Sequence, residues 1–552
     1  GNGAAEGRAD MKNLLGGKGA NLAEMNLIGV PVPPGFTITT EVCTEYNELG
    51  RDYVVGLLKE EVEQAVAQIE ELTGTKFGDK ENPCLVSVRS GSRVSMPGMM
   101  DTVLNAGMTA EIAHALATVT GDARFGWDTY RRFVQSYVSV VLGAQADLVR
   151  KTSHAHLGPD EGASLTPDEL RMAALAPHDA FAAGGLVVPA DPHEQLRGAI
   201  GAVFSSWMCD RARTYRRLES IPEDLFTAAT VQMMAFGNLG ERSGTGVAFS
   251  RNPSTGEPVL MGDFLQGAQG EDVVAGTHQT LPINALAELW PDIGAELART
   301  ACLLERDLRA LVDIEFTVED GSFWMLQYRK GKHSPRAALR MAIDMAEDPG
   351  FPLTREEALA RVEHILANPP MMASDDQSAS DAELLASGLP ASPGQAVGLL
   401  CTSVDEAIAA ESRGEAVILV RRETSPADIA GMAASVGILT TRGGHVSHAA
   451  VVARSWGLPA VVGAQGIEVL ENGIRIGDRI IPARTEVTVD GTTGEVLLGA
   501  HRRKEIEARA SFAQRLFQKD GVLEVRMTPD LKLANAYVMP LGGAYAEEIV
   551  AA

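Results

Sequence analysis

The stretch VGILTTRGGHVSHAAVVARSWGLPAVVGA, residues 436–464, constrains the fold more than any other. A short apolar run, GILTT, enters the turn RGG. SHAAVVARSW then has helical spacing, Gly457 is placed to end it, and LPAVVG resumes an apolar run. This is a βαβ unit. Its two strands run parallel, and parallel strands need helices packed on the sheet faces. The chain therefore contains an α/β domain whose histidines, His445 and His448, lie between a strand and a helix.

At 552 residues the chain exceeds what one hydrophobic core supports, so three or four domains are expected. A content of 45% hydrophobic and 22% charged residues fits globular domains with large cores. The formal charge of −25 works against non-specific attraction to nucleic acid or to anionic membrane, so any phosphate site must be a local cationic pocket. The five cysteines, Cys43, Cys84, Cys209, Cys302 and Cys401, are widely spaced, odd in number and without metal-ligand spacing. Together with the lack of a membrane-length apolar run or an apolar leader, this gives a cytoplasmic expectation. A homodimer is compatible with it.

Composition and punctuation divide the chain. Residues 1–108 alternate strands with Gly and Pro; 109–225 read as a helical insert; 226–340 return to strands. Residues 341–388 hold two helices and the polar linker PPMMASDDQSASD. Residues 389–500 form a compact α/β domain, and 501–552 a helical tail.

Several segments carry chemistry. In VDIEFTVEDGSFWMLQYR, Asp313 and Glu315 are two apart and share a strand face, as carboxylates holding Mg²⁺ against nucleotide phosphates would; a solvated polar face is the plain alternative. A two-residue Asp320-Gly321 turn pairs Gln327 with Ile314, whereas a three-residue loop pairs it with Glu315 and makes it a metal partner. The three-residue loop is expected. LLGGKGANLAEM sets Lys18 in a glycine-rich turn before a helix, either a phosphate contact or an ordinary turn, and it lacks the P-loop pattern. Arg89 ends a strand beside the loop SGSRVSMPGMM, fit for bidentate phosphate contact or for a surface ion pair. Glu271 and Asp272, in QGEDVVAG, are fit for ribose, metal or capping.

His448 falls in the first helical turn, where free N–H groups and the helix dipole favour an anion and disfavour imidazolium. A neutral ring nitrogen can attack phosphorus and carry the resulting anion there. Arg442 is a natural partner, and His445 a second phosphate contact. The plain alternative for His448 is a capping or packing residue.

Taken together, LLGGKGANLAEM, GVPVPPGFTITTE, VSVRSGSRVSMPGMMDTVLN, WDTYRRF, TGVAFSRNPSTGE, QGEDVVAG, DIEFTVEDGSFWMLQYR, LPASPG, ETSPADIAGM and TTRGGHVSHAAVVAR resemble the pyruvate, phosphate dikinase family, in order, over nearly all of residues 10–500. The resemblance implies an α/β multidomain chain: an ATP-grasp nucleotide-binding region with a helical insert, then a swivelling phosphohistidine domain. It implies ATP and Mg²⁺ binding at Lys18, Arg89, Asp313, Glu315, Gln327 and Arg329, with Asp313, Glu315 and Gln327 at the metal and Glu271 in the nucleotide-contacting stretch. His448 matches the phosphorylated histidine, with Arg442 beside it. ATP and phosphate then give phosphohistidine, AMP and pyrophosphate, and the phosphoryl group passes to pyruvate, giving phosphoenolpyruvate, at a separate barrel.

Three departures accompany the resemblance. Where the family has Gly-Gly-Met-Thr-Ser-His, this chain has Gly-Gly-His-Val-Ser-His, so Val446 replaces a regulatory threonine and His445 matches no family catalytic residue. GLPAVVG looks more like phosphoenolpyruvate synthase and enzyme I of the sugar phosphotransferase system. The segment after Leu498 is too short for a barrel of about 250 residues, so the pyruvate site is expected on another chain or in a longer protein. Two rival readings are a phosphocarrier serving another acceptor and a non-catalytic ATP-binding relative.

Overall fold

The computed structural model describes residues 4–50, 56, 58–94, 96, 98–158, 164–275, 280–367, 371–373, 383–501, 505–507, 523–527 and 536–540. It is a mixed α/β multidomain chain. Two compact units emerge: Gly1–Thr245 with Gln266–Gly270 and Glu315–Tyr328, and Gly246–Leu265 with Glu271–Ile314 and Arg329–Ala552.

In the first unit, four strands form an antiparallel sheet in the order Gly35–Ile38, Thr227–Met233, Val86–Ser92, Thr102–Ala106. Its core continues into helices between Ala110 and Leu218, where aromatic residues such as Phe133, Tyr137 and Phe204 are almost fully buried. The helix Lys12–Leu27 breaks at Gly16, whose φ of 66° and ψ of 173° are non-helical. A Cβ at Gly16 would lie 1.6 Å from the Gly91 carbonyl oxygen, so only glycine allows the turn to sit against the strand Val86–Ser92.

The strands Val312–Glu319 and Ser322–Lys330 are joined by Asp320 and Gly321 alone, both left-handed, with φ of 44° and 77°. The expected three-residue loop is therefore corrected to a two-residue turn of the type that Asp-Gly favours, since its twist matches that of the strands. Loop length does not by itself fix the side that Gln327 takes. Phe323 and Met325 are buried, but the next buried residue is Tyr328, so the alternation slips by one between them. Gln327 thereby leaves the buried side taken by Phe323 and Met325, and, two residues from Arg329, it shares that residue's side.

The second unit contains an eight-stranded sheet in the order Leu384–Ser387, Glu495–Leu498, Glu486–Asp490, Gln395–Cys401, Val417–Arg421, Gly437–Thr440, Ala460–Val462, Leu389–Ser392. The neighbours from Gln395–Cys401 to Ala460–Val462 are parallel and the remainder antiparallel. The βαβ unit is present as read: strand Gly437–Thr440, helix His448–Trp456, a left-handed Gly457 ending the helix, and strand Ala460–Val462. Most of the polar linker lies outside the described residues. Within the tail, expected to be helical, the described segments Glu505–Glu507, Leu523–Met527 and Ala536–Pro540 are strands. Among the described residues no helix is long and apolar enough to cross a membrane.

Candidate active site

His448 is the first residue of its helix and is buried, with 9% of its surface exposed. The adjoining parallel strands Val417–Arg421 and Gly437–Thr440 bring the loops after them together, and Thr424 Oγ1 lies 3.0 Å from His448 Nδ1. Nε2 is buried and has no hydrogen-bond partner. Burial pushes the ring down from 6.5 to about 4, while the nearby Asp428 carboxylate opposes the fall. The ring is therefore neutral near pH 7, with one nitrogen held and the other open. Burial is the leading cause of this neutrality, where the sequence pointed to the helix terminus.

The loop carrying His448 is held from below. Asp263, buried on the strand Met261–Gln266, accepts the Val446 N–H at 3.1 Å. Burial raises the Asp263 carboxyl, whereas the Val446 N–H, the charge of Arg454 and the His445 N–H favour its ionised form. A Cβ at Gly444 would lie 2.3 Å from an Asp263 oxygen, so the carboxylate reaches the loop only because that residue is glycine. Arg454, on the His448 helix, donates to the carbonyls of Ala391 at 2.8 Å and His445 at 2.6 Å, and its guanidinium lies over the Phe249 ring. Burial pulls it down to about 10, against the stabilising charges of Asp313 and Asp263, so it remains a cation. His445 is half-buried, and burial with the Arg454 charge lowers it to about 4. Its carbonyl and N–H serve the loop. Arg442 is exposed, and its N–H donates to the Arg422 carbonyl at 2.8 Å.

Within the first unit, Arg89 donates to Glu315 Oε2 at 2.8 Å and to the Leu326 carbonyl at 3.2 Å. Lys18 follows the Gly16 break and packs against Gly91, which is two residues from Arg89 and so on the same strand face. Within the second unit, Arg329 Nε donates to Asp313 Oδ2 at 2.7 Å, and Asp313 Oδ1 is buried without a partner. The structure thus joins Arg89 with Glu315 and Arg329 with Asp313. Glu271 lies in the short helix Gly270–Ala275, and its side chain is outside the described residues.

Sequence reading missed Thr424, Asp428, Asp263 and Arg454 as parts of the histidine site. ETSPADIAGM, which holds the first two, stood out as a family stretch, but nothing local linked it to His448. The sequence separation of 183 between Asp263 and Val446 left no signal at all.

The model of the pyruvate phosphate dikinase AMP/ATP-binding domain matches residues 12–60 and 53–280, and that of the mobile domain of PEP-utilising enzymes matches residues 414–494. The pyruvate, phosphate dikinase of Rhizobium meliloti (strain 1021) is 48% identical over 517 residues, covering 90% of this chain and 57% of that protein. That of Clostridium symbiosum is 44% identical over 551 residues, covering 97% and 62%. A chloroplastic pyruvate, phosphate dikinase of Flaveria trinervia is 45% identical over 513 residues, covering 90% and 53%. The chain thus spans between about half and three fifths of the length of these relatives. With both domain models and this identity along nine tenths of its length, the chain belongs to the pyruvate, phosphate dikinase family.

Proposed function

We propose that this chain is a phosphotransferase that uses ATP and inorganic phosphate to phosphorylate His448, releasing AMP and pyrophosphate. The observation that carries the reading is the His448 ring, neutral and buried, with Nδ1 at Thr424 and Nε2 open. The Nε2 lone pair attacks the β-phosphorus of ATP. An N–P bond forms, the P–O bond to the α-phosphate breaks, and AMP leaves. An oxygen of inorganic phosphate then attacks the terminal phosphorus, the P–O–P bridge breaks, pyrophosphate leaves, and one phosphoryl group remains on Nε2. Because the Nε2 lone pair enters the N–P bond while Nδ1 keeps its proton, the ring is cationic as the bond forms. Nδ1–H then donates to Thr424, and the Asp428 carboxylate supports the positive charge.

An ATP-grasp arrangement of the nucleotide half would put Arg89, Lys18 and Arg329 at the phosphates, with Arg442 serving the phosphoryl group at His448 and Glu271 the nucleotide. As the family resemblance implies, Asp313, Glu315 and Gln327 would hold a magnesium ion: their oxygen atoms are the hard donors that magnesium takes beside phosphate, and Asp313 Oδ1 is a buried orphan oxygen. When bound, the ion neutralises phosphate charge. In the free protein Arg89 and Arg329 occupy part of that role by pairing the carboxylates. In the whole protein, transfer to pyruvate, giving phosphoenolpyruvate in the cytoplasm, completes the reading.

Intact-mass analysis after incubation with ATP, Mg²⁺ and phosphate tests it. One acid-labile phosphoryl group and AMP are expected from the wild type, and neither from His448→Ala. Unlabelled wild type, or labelled His448→Ala, overturns the proposal.

A further inference from the structure

Ser447 holds the N-cap position of the helix His448–Trp456, yet its side chain makes no capping hydrogen bond. It is 95% buried, its surface only 5% exposed, and Oγ has no hydrogen-bond partner. The neighbouring His448 Nε2 is a second orphan on the next residue. Serine is favoured at this position because its oxygen accepts from the first-turn N–H groups, and a buried hydroxyl left without any partner is costly. Unpartnered buried polar atoms on two consecutive residues at the start of a nine-residue helix therefore point to a group absent from the resting chain. Space for the hydroxyl is provided by Gly443, where a Cβ would come within 2.9 Å of Ser447 Oγ.

We infer that Ser447 is a further catalytic residue, whose hydroxyl donates to the phosphoryl group carried on His448 Nε2. This rests on the proposed phosphorylation of His448. The phosphoryl oxygens are acceptors only, while the serine hydroxyl and the free N–H groups of the first helical turn are donors, so one anion satisfies both. Val446 cannot take this role: it has no hydroxyl, and its N–H is already committed to Asp263. Ser447 thus supplies a second side-chain hydroxyl at the carrier histidine, for the phosphoryl group, while Thr424 serves Nδ1.

Two measurements on Ser447 variants separate a catalytic hydroxyl from a structural one. In Ser447→Ala, single-turnover phosphorylation by ATP, Mg²⁺ and phosphate should slow about tenfold, and the half-life of the isolated phosphohistidine at pH 8 should shorten by a similar factor, as for loss of one hydrogen bond to a charged group. Its Tm without ATP should be equal to or above that of the wild type, because an unsatisfied buried hydroxyl is gone. Ser447→Thr, which keeps the hydroxyl, should restore both rates. A lower Tm for Ser447→Ala with unchanged phosphorylation and half-life would show an ordinary structural serine and overturn the inference. A wild type that forms no phosphohistidine overturns the carrier reading instead.

Discussion

The neutrality of His448 predicts a titration that separates it from surface histidines. Burial places the ring at about 4 instead of 6.5. At pH 6 an ordinary histidine is about three quarters protonated, whereas a group at about 4 is only about 1% protonated. The interval corresponds to roughly 3 kcal/mol, at about 1.4 kcal/mol per tenfold change. Its sign follows from proton counts: between about 4 and 6.5 the unfolded chain binds more protons at this residue than the folded one. The contribution is complete above 6.5 and is lost as pH falls toward about 4. The assay is NMR of protein labelled at the histidine ring carbons, with His448→Gln identifying the signal among the eleven histidines. The His448 resonance should stay in its neutral position down to about pH 5. Comparing the urea stability of wild type and His448→Gln from pH 7 to pH 5 should show the wild type losing ground by about 2 kcal/mol, part of the full interval. A midpoint between pH 6 and 7 would refute the claim that burial governs this ring.

Two further outcomes follow from the geometry. Thr424→Val removes the partner of His448 Nδ1 while keeping the side-chain shape, and should slow phosphorylation of His448 about tenfold with little change in the ATP concentration needed, measured by quench-flow labelling. Gly16→Ala forces a Cβ into the Gly91 carbonyl at a left-handed position and should lower stability by at least about 2 kcal/mol, read as a fall in Tm of the first unit.

Much of the histidine domain was legible because its signals are local. The run GILTT, the glycine turn, the helical spacing after His448 and the stop at Gly457 all act over a few residues, and each appears where it was read. The hairpin was legible as a hairpin, and its two-residue length was legible too, because Asp-Gly is the local signal for that turn; the three-residue expectation set that signal aside. The side taken by Gln327, by contrast, was hidden. It depends on a slip in alternation between Met325 and Tyr328, both of which are buried, and burial over that distance is not written in the local spacing.

By itself, the sequence determined the α/β class, the histidine at a helix start, the paired carboxylates on one strand and the membership in a phosphotransfer family. The first three are properties of short-range periodicity and of residue types at fixed spacings, and the last rests on the resemblance carried by the ordered motifs along the chain. Only the tertiary structure decided which nitrogen of His448 is free, that burial rather than the helix terminus keeps the ring neutral, and that Asp263 and Arg454 fix its loop. Those outcomes depend on which loops meet after parallel strands align and on how much water the packing removes. Neither is encoded in the spacing of neighbouring residues.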